Sequence, residues 1–191
     1  MDKLLQKLKK LSLEELAVEF KQKGDTCALF SIMFSTAMLG RKSSYITKSI
    51  EEDINSLLTE KEGCCSLRKK ITPPILTRHG LVMDILQIEN IADYLLSVGY
   101  KVETYPATRE NVELYIKHNP AIVLNFNFPE WIDFYGGGTL NDWYVVHVIC
   151  AVDIIKKDLV YFEPLVGEIR KRKLQNFDTI YGKEIALIKP L

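Results

Sequence analysis

The sequence predicts an α+β fold in a single domain, 1–191, mainly helical over about 1–98 and rich in mainly antiparallel strands over about 99–191. Three observations carry that expectation. Cys27 to Leu39 is an apolar run broken only by Ser31, Ser35 and Thr36, the pattern of a helix buried on every side. Trp143 to Asp153 reads as a strand apolar on both faces and therefore central in a sheet. Lys156-Lys157-Asp158 is a turn that folds the next run, Leu-Val-Tyr-Phe, back along that strand.

Taken in order, Leu4, Leu5, Leu8 and Leu11 give a first helix one apolar stripe. Ser12-Leu-Glu-Glu15 is a capping box for a second helix bearing Leu16, Ala17 and Phe20. Asp25 or Thr26 can cap the apolar helix that starts at Cys27, and Gly40 is placed to stop it. A more polar helix follows over Thr47 to Leu58, then an irregular basic stretch with Gly63, Cys64-Cys65 and Pro73-Pro74. A helix over Gln87 to Val98 ends at Gly99 and leads to a strand from Tyr100 to Thr104. Thr108 caps a helix to about Lys117, and Pro120 opens the strand Ala-Ile-Val-Leu-Asn-Phe. Asn127 to Asp142 is a long loop, and Gly182 to Lys189 supplies the last strand.

The 191 residues hold 25 basic and 25 acidic side chains, so no net field favours nucleic acid or an acidic membrane surface. No apolar run approaches the roughly 20 residues that span a bilayer. Lysines interrupt any signal-peptide core at the N-terminus, and four cysteines are too few for a disulfide scaffold. The expectation is a soluble, cytoplasmic, reduced protein.

One arrangement in the chain suits covalent chemistry. A thiol is a poor nucleophile until ionised, and the unpaired N–H groups and dipole at a helix start favour the thiolate. Cys27 stands there, and the one histidine of the central strand, His147, can act as its base and later as proton donor. Glu163 follows sixteen residues on, across a hairpin, and returns near the level of His147, where a carboxylate can fix the imidazole tautomer. Asp153 and Asp158 are alternative acids. The Cys27 N–H and the Gln22 side-chain amide are candidate oxyanion donors.

Gln22-Lys-Gly-Asp-Thr-Cys27-Ala, the stretch Ile91 to Asn125, and His147-Val-Ile-Cys-Ala-Val-Asp through Val160-Tyr-Phe-Glu-Pro-Leu-Val-Gly together resemble the papain-like peptidases of the bacteriocin-leader (double-glycine) processing type and their stand-alone relatives. The likeness spans roughly Gln22 to Leu187. It implies a papain-like fold in which Cys27 is the nucleophile, His147 the base, Glu163 the orienting acid and Gln22 a residue of the oxyanion hole. It also implies a cysteine hydrolase, a peptidase or amidase, that acts on a peptide or other acyl substrate without metal or organic cofactor. The same site can instead pass its acyl group to an amine, as an acyltransferase, or serve a non-catalytic module that binds peptide or protein.

Other features read as structural. Cys64-Cys65 beside His79 lack the spacing that lets two thiolates share zinc. Cys150 is expected in the core, and Arg68-Lys69-Lys70 and Arg170-Lys171-Arg172-Lys173 on solvated faces. Gly136-Gly137-Gly138 lacks the strand-then-helix setting of a phosphate loop. With Trp131, Phe134 and Tyr135 it makes either an ordinary connection or a substrate-facing flap.

Overall fold

The computed structural model describes residues 3–22, 27–43, 45–59, 67, 88–117, 119–124, 148–174 and 184–191. Among the described residues four helices come first: α1 (Lys3–Lys10), α2 (Leu13–Glu19), α3 (Cys27–Ser43) and α4 (Lys48–Thr59). After α5 (Ile88–Ser97) the order is β1 (Tyr100–Pro106), α6 (Arg109–Tyr115), β2 (Ala121–Leu124), β3 (Val148–Ile155), β4 (Asp158–Glu163), β5 (Glu168–Lys173) and β6 (Glu184–Pro190). The strands form one antiparallel sheet in the order β1-β6-β2-β3-β4-β5. The fold is α+β, as the sequence predicts.

Local chemistry accounts for most boundaries. Ser12 accepts from the Glu15 N–H at 3.0 Å while the Glu15 carboxylate accepts from the Ser12 N–H, which closes the capping box that opens α2. Thr108 caps α6 in the same manner through the Asn111 N–H. Gly99, at φ +93°, ends the α5 segment in a conformation that favours glycine. Lys156 and Lys157 both have positive φ, the geometry of the tight two-residue turn that matches strand twist, and they join β3 to β4.

Two expectations need correction. Gly40 does not stop α3, which continues to Ser43. The Arg41 guanidinium donates to the carbonyls of Leu11 and Ser12, at 2.7 and 3.4 Å, and these bonds hold the extra turn against the α1–α2 corner. β1 runs past Thr104 to Pro106, because at a sheet edge a missing N–H costs no ladder bond. The run Arg170 to Lys173, half-buried to exposed, forms most of the edge strand β5. Charged side chains there blunt an edge against further pairing.

The sheet carries apolar residues on both faces. Val148, Cys150, Val152, Val160 and Phe162 join α1–α5 in the larger core, whereas Ile149, Ala151, Leu159 and Tyr161 join Val112 of α6 and the adjoining Ile116 in the smaller. β3 is thus covered on both sides, as its sequence predicts. A buried hydrogen bond from the Tyr94 hydroxyl to Asp53, at 2.6 Å, ties α5 to α4. Burial and then the Asp53 carboxylate push the Tyr94 phenol well above its ordinary pKa.

At the opposite edge, Glu103 of β1 accepts from Lys189 of β6, from Lys101 at 2.9 Å and from the Tyr105 hydroxyl at 2.7 Å. Those donors, Lys189 first, lower its carboxyl pKa from 4.5 to about 2. A lowered acid pKa contributes stability that is present above pH 4.5 and is lost as the pH falls through about 2. Glu103→Gln should therefore reduce the urea midpoint at neutral pH. The difference from wild type should narrow as the titration enters that acid window, and an unchanged gap would disprove the linkage.

Candidate active site

The site is built around the seat of α3. Cys27 is the first residue of this helix and is half-buried. One turn on, the fully buried Ser31 donates its hydroxyl to the Val148 carbonyl at 3.0 Å. Phe34, a further turn along the same stripe, stacks on Phe162 of β4 with centroids 4.1 Å apart and planes 10° from parallel. Phe20 meets Phe34 edge-on at 5.7 Å. The Ser35 hydroxyl lies beside the thiol of Cys150 on β3. Ser31 bonds residue 148, and Ser35, one turn on, lies near residue 150, so α3 and β3 run side by side. Four helical residues rise about 6 Å and two strand residues about 6.6 Å, which is why the two stay in step.

Glu163 is the last residue of β4 and only 2% exposed. One carboxylate oxygen accepts the Leu165 N–H at 3.1 Å, and its carbonyl accepts the Gly167 N–H at 2.9 Å. The turn is pressed against the end of α2. Gly167 has φ +70°, and a Cβ there would stand 2.6 Å from the Lys21 Cβ and 3.1 Å from the Ala17 carbonyl oxygen. From the segment after α2, the Gln22 N–H donates to the Pro164 carbonyl at 2.8 Å. The Gln22 side chain brings its own oxygen, Oε1, into the interior.

The structure thus brings Gln22 onto the Glu163–Pro164 turn and lays α3, whose first residue is Cys27, across β3 and β4. His147 lies outside the described residues; Val148, which follows it in the chain, is the acceptor for Ser31. Asp153 and Asp158 belong to the far end of the β3–β4 hairpin. Asp153 is exposed and accepts the Ile154 N–H, and Asp158 pairs with Lys173 at 2.9 Å. Cys64, Cys65, His79, Trp131, Phe134, Tyr135 and Gly136 to Gly138 lie outside the described residues.

Two residues that sequence reasoning passed over help to shape the site. Ser31 carried a usable signal in its spacing, four residues after Cys27 and hence on the same helix face. Gly167 carried only its place at the end of a short connection. Cys150 packs in the core as expected, with no exposure. Burial pushes its thiol up to about 12, against smaller opposing effects of Ser35 and Lys42. Among the described residues no group of three or more His, Cys, Asp or Glu side chains is arranged to hold a metal ion.

No family model matches the chain, and no curated protein matches it. Solved structures do. A double glycine motif protease from an AMS/PCAT transporter, in complex with the leader peptide, is 14% identical with a TM-score of 0.46, the match covering 84% of each chain. The peptidase domain of Streptococcus ComA, a bi-functional ABC transporter involved in a quorum sensing pathway, is 11% identical with a TM-score of 0.46. That match covers 70% of this chain and 82% of the other. The chain is similar to both of these proteins.

Two outcomes follow for the site. In the native protein iodoacetamide should modify Cys27 and leave Cys150 untouched until denaturant is added; peptide mapping by mass spectrometry reads this directly. Gly167→Ala should lower unfolding stability by about 2 kcal/mol, through the positive φ and the contact with Lys21 together. Equilibrium denaturation measures it, and a change under about 0.5 kcal/mol, the level of an ordinary surface substitution, would refute the close approach.

Proposed function

We propose that this chain is a papain-like cysteine hydrolase of peptidase or amidase type, with Cys27 as nucleophile, His147 as base, Glu163 as orienting acid and Gln22 as an oxyanion donor. The observation that carries the reading is the buried bond from Ser31, one turn after Cys27 on α3, to the carbonyl of Val148, the residue that follows His147 in the chain. Glu163 ends the strand that pairs with β3, and its carboxylate is held in place by the Leu165 N–H. Gln22 is tied to the same turn.

In this reading the Cys27 thiolate, paired with the His147 imidazolium, adds to the carbonyl carbon of a bound peptide or other acyl group. The developing oxyanion is met by the Cys27 N–H and the Gln22 amide, which are worth most in a site shielded from water. His147 gives its proton to the departing amine, and the carbonyl re-forms as a thioester on Cys27. Water, deprotonated by His147, then attacks the thioester; the acid leaves and the thiol and imidazole return to their starting state. Glu163 accepts the hydrogen bond that keeps the imidazole in the useful tautomer. A reducing, cytoplasmic setting suits a working thiol of this kind.

The test is the pH dependence of Cys27 alkylation in wild type and in His147→Ala, with acyl-enzyme formation from a p-nitrophenyl ester followed by intact mass. Reactivity should persist at about pH 6, well below the ordinary thiol range near 8.5, and should fall by about 100-fold in His147→Ala. One acyl adduct should appear on Cys27. Titration of Cys27 as an ordinary thiol in both proteins would reject the enzyme.

A further inference from the structure

Ser31 is buried without exposure, and its hydroxyl donates at 3.0 Å to the carbonyl of a residue 117 positions away. A serine inside a helix can satisfy itself on a carbonyl of its own preceding turn, as Thr36 does on Met33 at 2.9 Å. Ser31 instead reaches out to β3. Its acceptor is the backbone carbonyl of Val148, at the start of β3. The bond also falls where the vertical fit between α3 and β3 matters most, one turn from Cys27 and at the first residue of β3.

We infer that Ser31 is a positioning residue for the Cys27 nucleophile, its hydroxyl bond to Val148 locking the first turns of α3 at the level of the β3 start. The inference rests on the function proposed above and deepens it. Apolar packing alone is a weak lock against sliding, because neighbouring side chains can trade contacts. The Phe34–Phe162 stack fixes the helix over the strands but lies about two turns from the thiol. The hydroxyl bond is directional and tolerates displacement of only a few tenths of an ångström. Loss of this bond moves the thiol relative to its base without dismantling the core.

The experiment compares the pH profile of Cys27 alkylation in wild type, Ser31→Ala, Ser35→Ala and His147→Ala, each with its melting temperature. Ser35 is the control: an equally buried serine one turn further from Cys27, set beside Cys150. The expected result is a rate at about pH 6 that drops at least 10-fold in Ser31→Ala and less than about 3-fold in Ser35→Ala, at similar melting temperatures. If Ser31→Ala does not fold, the near-isosteric pair Ser31→Thr and Ser31→Val replaces it, the hydroxyl-bearing variant being expected to react at least 10-fold faster. A Ser31→Ala profile that overlays wild type, while His147→Ala abolishes the low-pH limb, overturns the role of Ser31 and leaves the proposed function standing. Equal shifts in Ser31→Ala and Ser35→Ala overturn it as well, since general loosening then suffices. A wild-type profile that is itself ordinary and indifferent to His147 removes both.

Discussion

Everything in this protein is hung on one buried helix. Residues Ala28 to Gly40 of α3 are buried without a break, so the helix offers no face to water and must be matched on all sides. α1 and α4 cover it on one side, β2 and β3 on the other, and Phe20 from the end of α2 closes on Phe34. Each large apolar side chain so buried contributes about 1.5–3 kcal/mol, which makes α3 the centre of the larger core as well as the carrier of Cys27. A nucleophile on such an element is held by the core itself.

The polar groups on α3 then acquire meaning, because an apolar surround makes each of them either satisfied or costly. Thr36 turns back on its own helix, and Ser31 reaches to Val148. The two described thiols show the same gradient along one line. Cys150, deep beside Ser35, is driven up to about 12 by burial, whereas Cys27 sits half-buried at the helix start, where N–H groups and the macrodipole favour charge. Burial on β3 keeps the Cys150 thiol protonated, whereas Cys27 is half-buried at the first residue of α3.

Much of this was legible in the sequence because it rests on pattern. The all-round apolarity of α3, the two-faced apolarity of β3 and the capping box at Ser12 each have a local cause, and each appears where expected. β5 was not legible. Glu-Ile-Arg-Lys-Arg-Lys has little strand propensity, and it is a strand because β4 offers it a ladder. The persistence of α3 past Gly40 depends on Arg41 finding carbonyls thirty residues away, a contact no local window contains. At the site, Cys27, Glu163 and Gln22 were singled out by chain order and spacing, while the bonds that place them run between distant segments.

Why the candidate site lies where it does follows from one residue, Pro164. A proline cannot continue a ladder, so β4 stops at Glu163. The break turns the chain and exposes what a continuing strand would have used up. The Pro164 carbonyl becomes an acceptor for the Gln22 N–H, which moors the segment leading to Cys27. The Leu165 N–H becomes a donor for the buried Glu163 side chain. The Ser31 hydroxyl bonds the Val148 carbonyl, where β3 begins. Three tethers, each from a different segment, therefore converge on the place where the sheet ends, and the side chains with chemistry to offer are the ones those tethers hold.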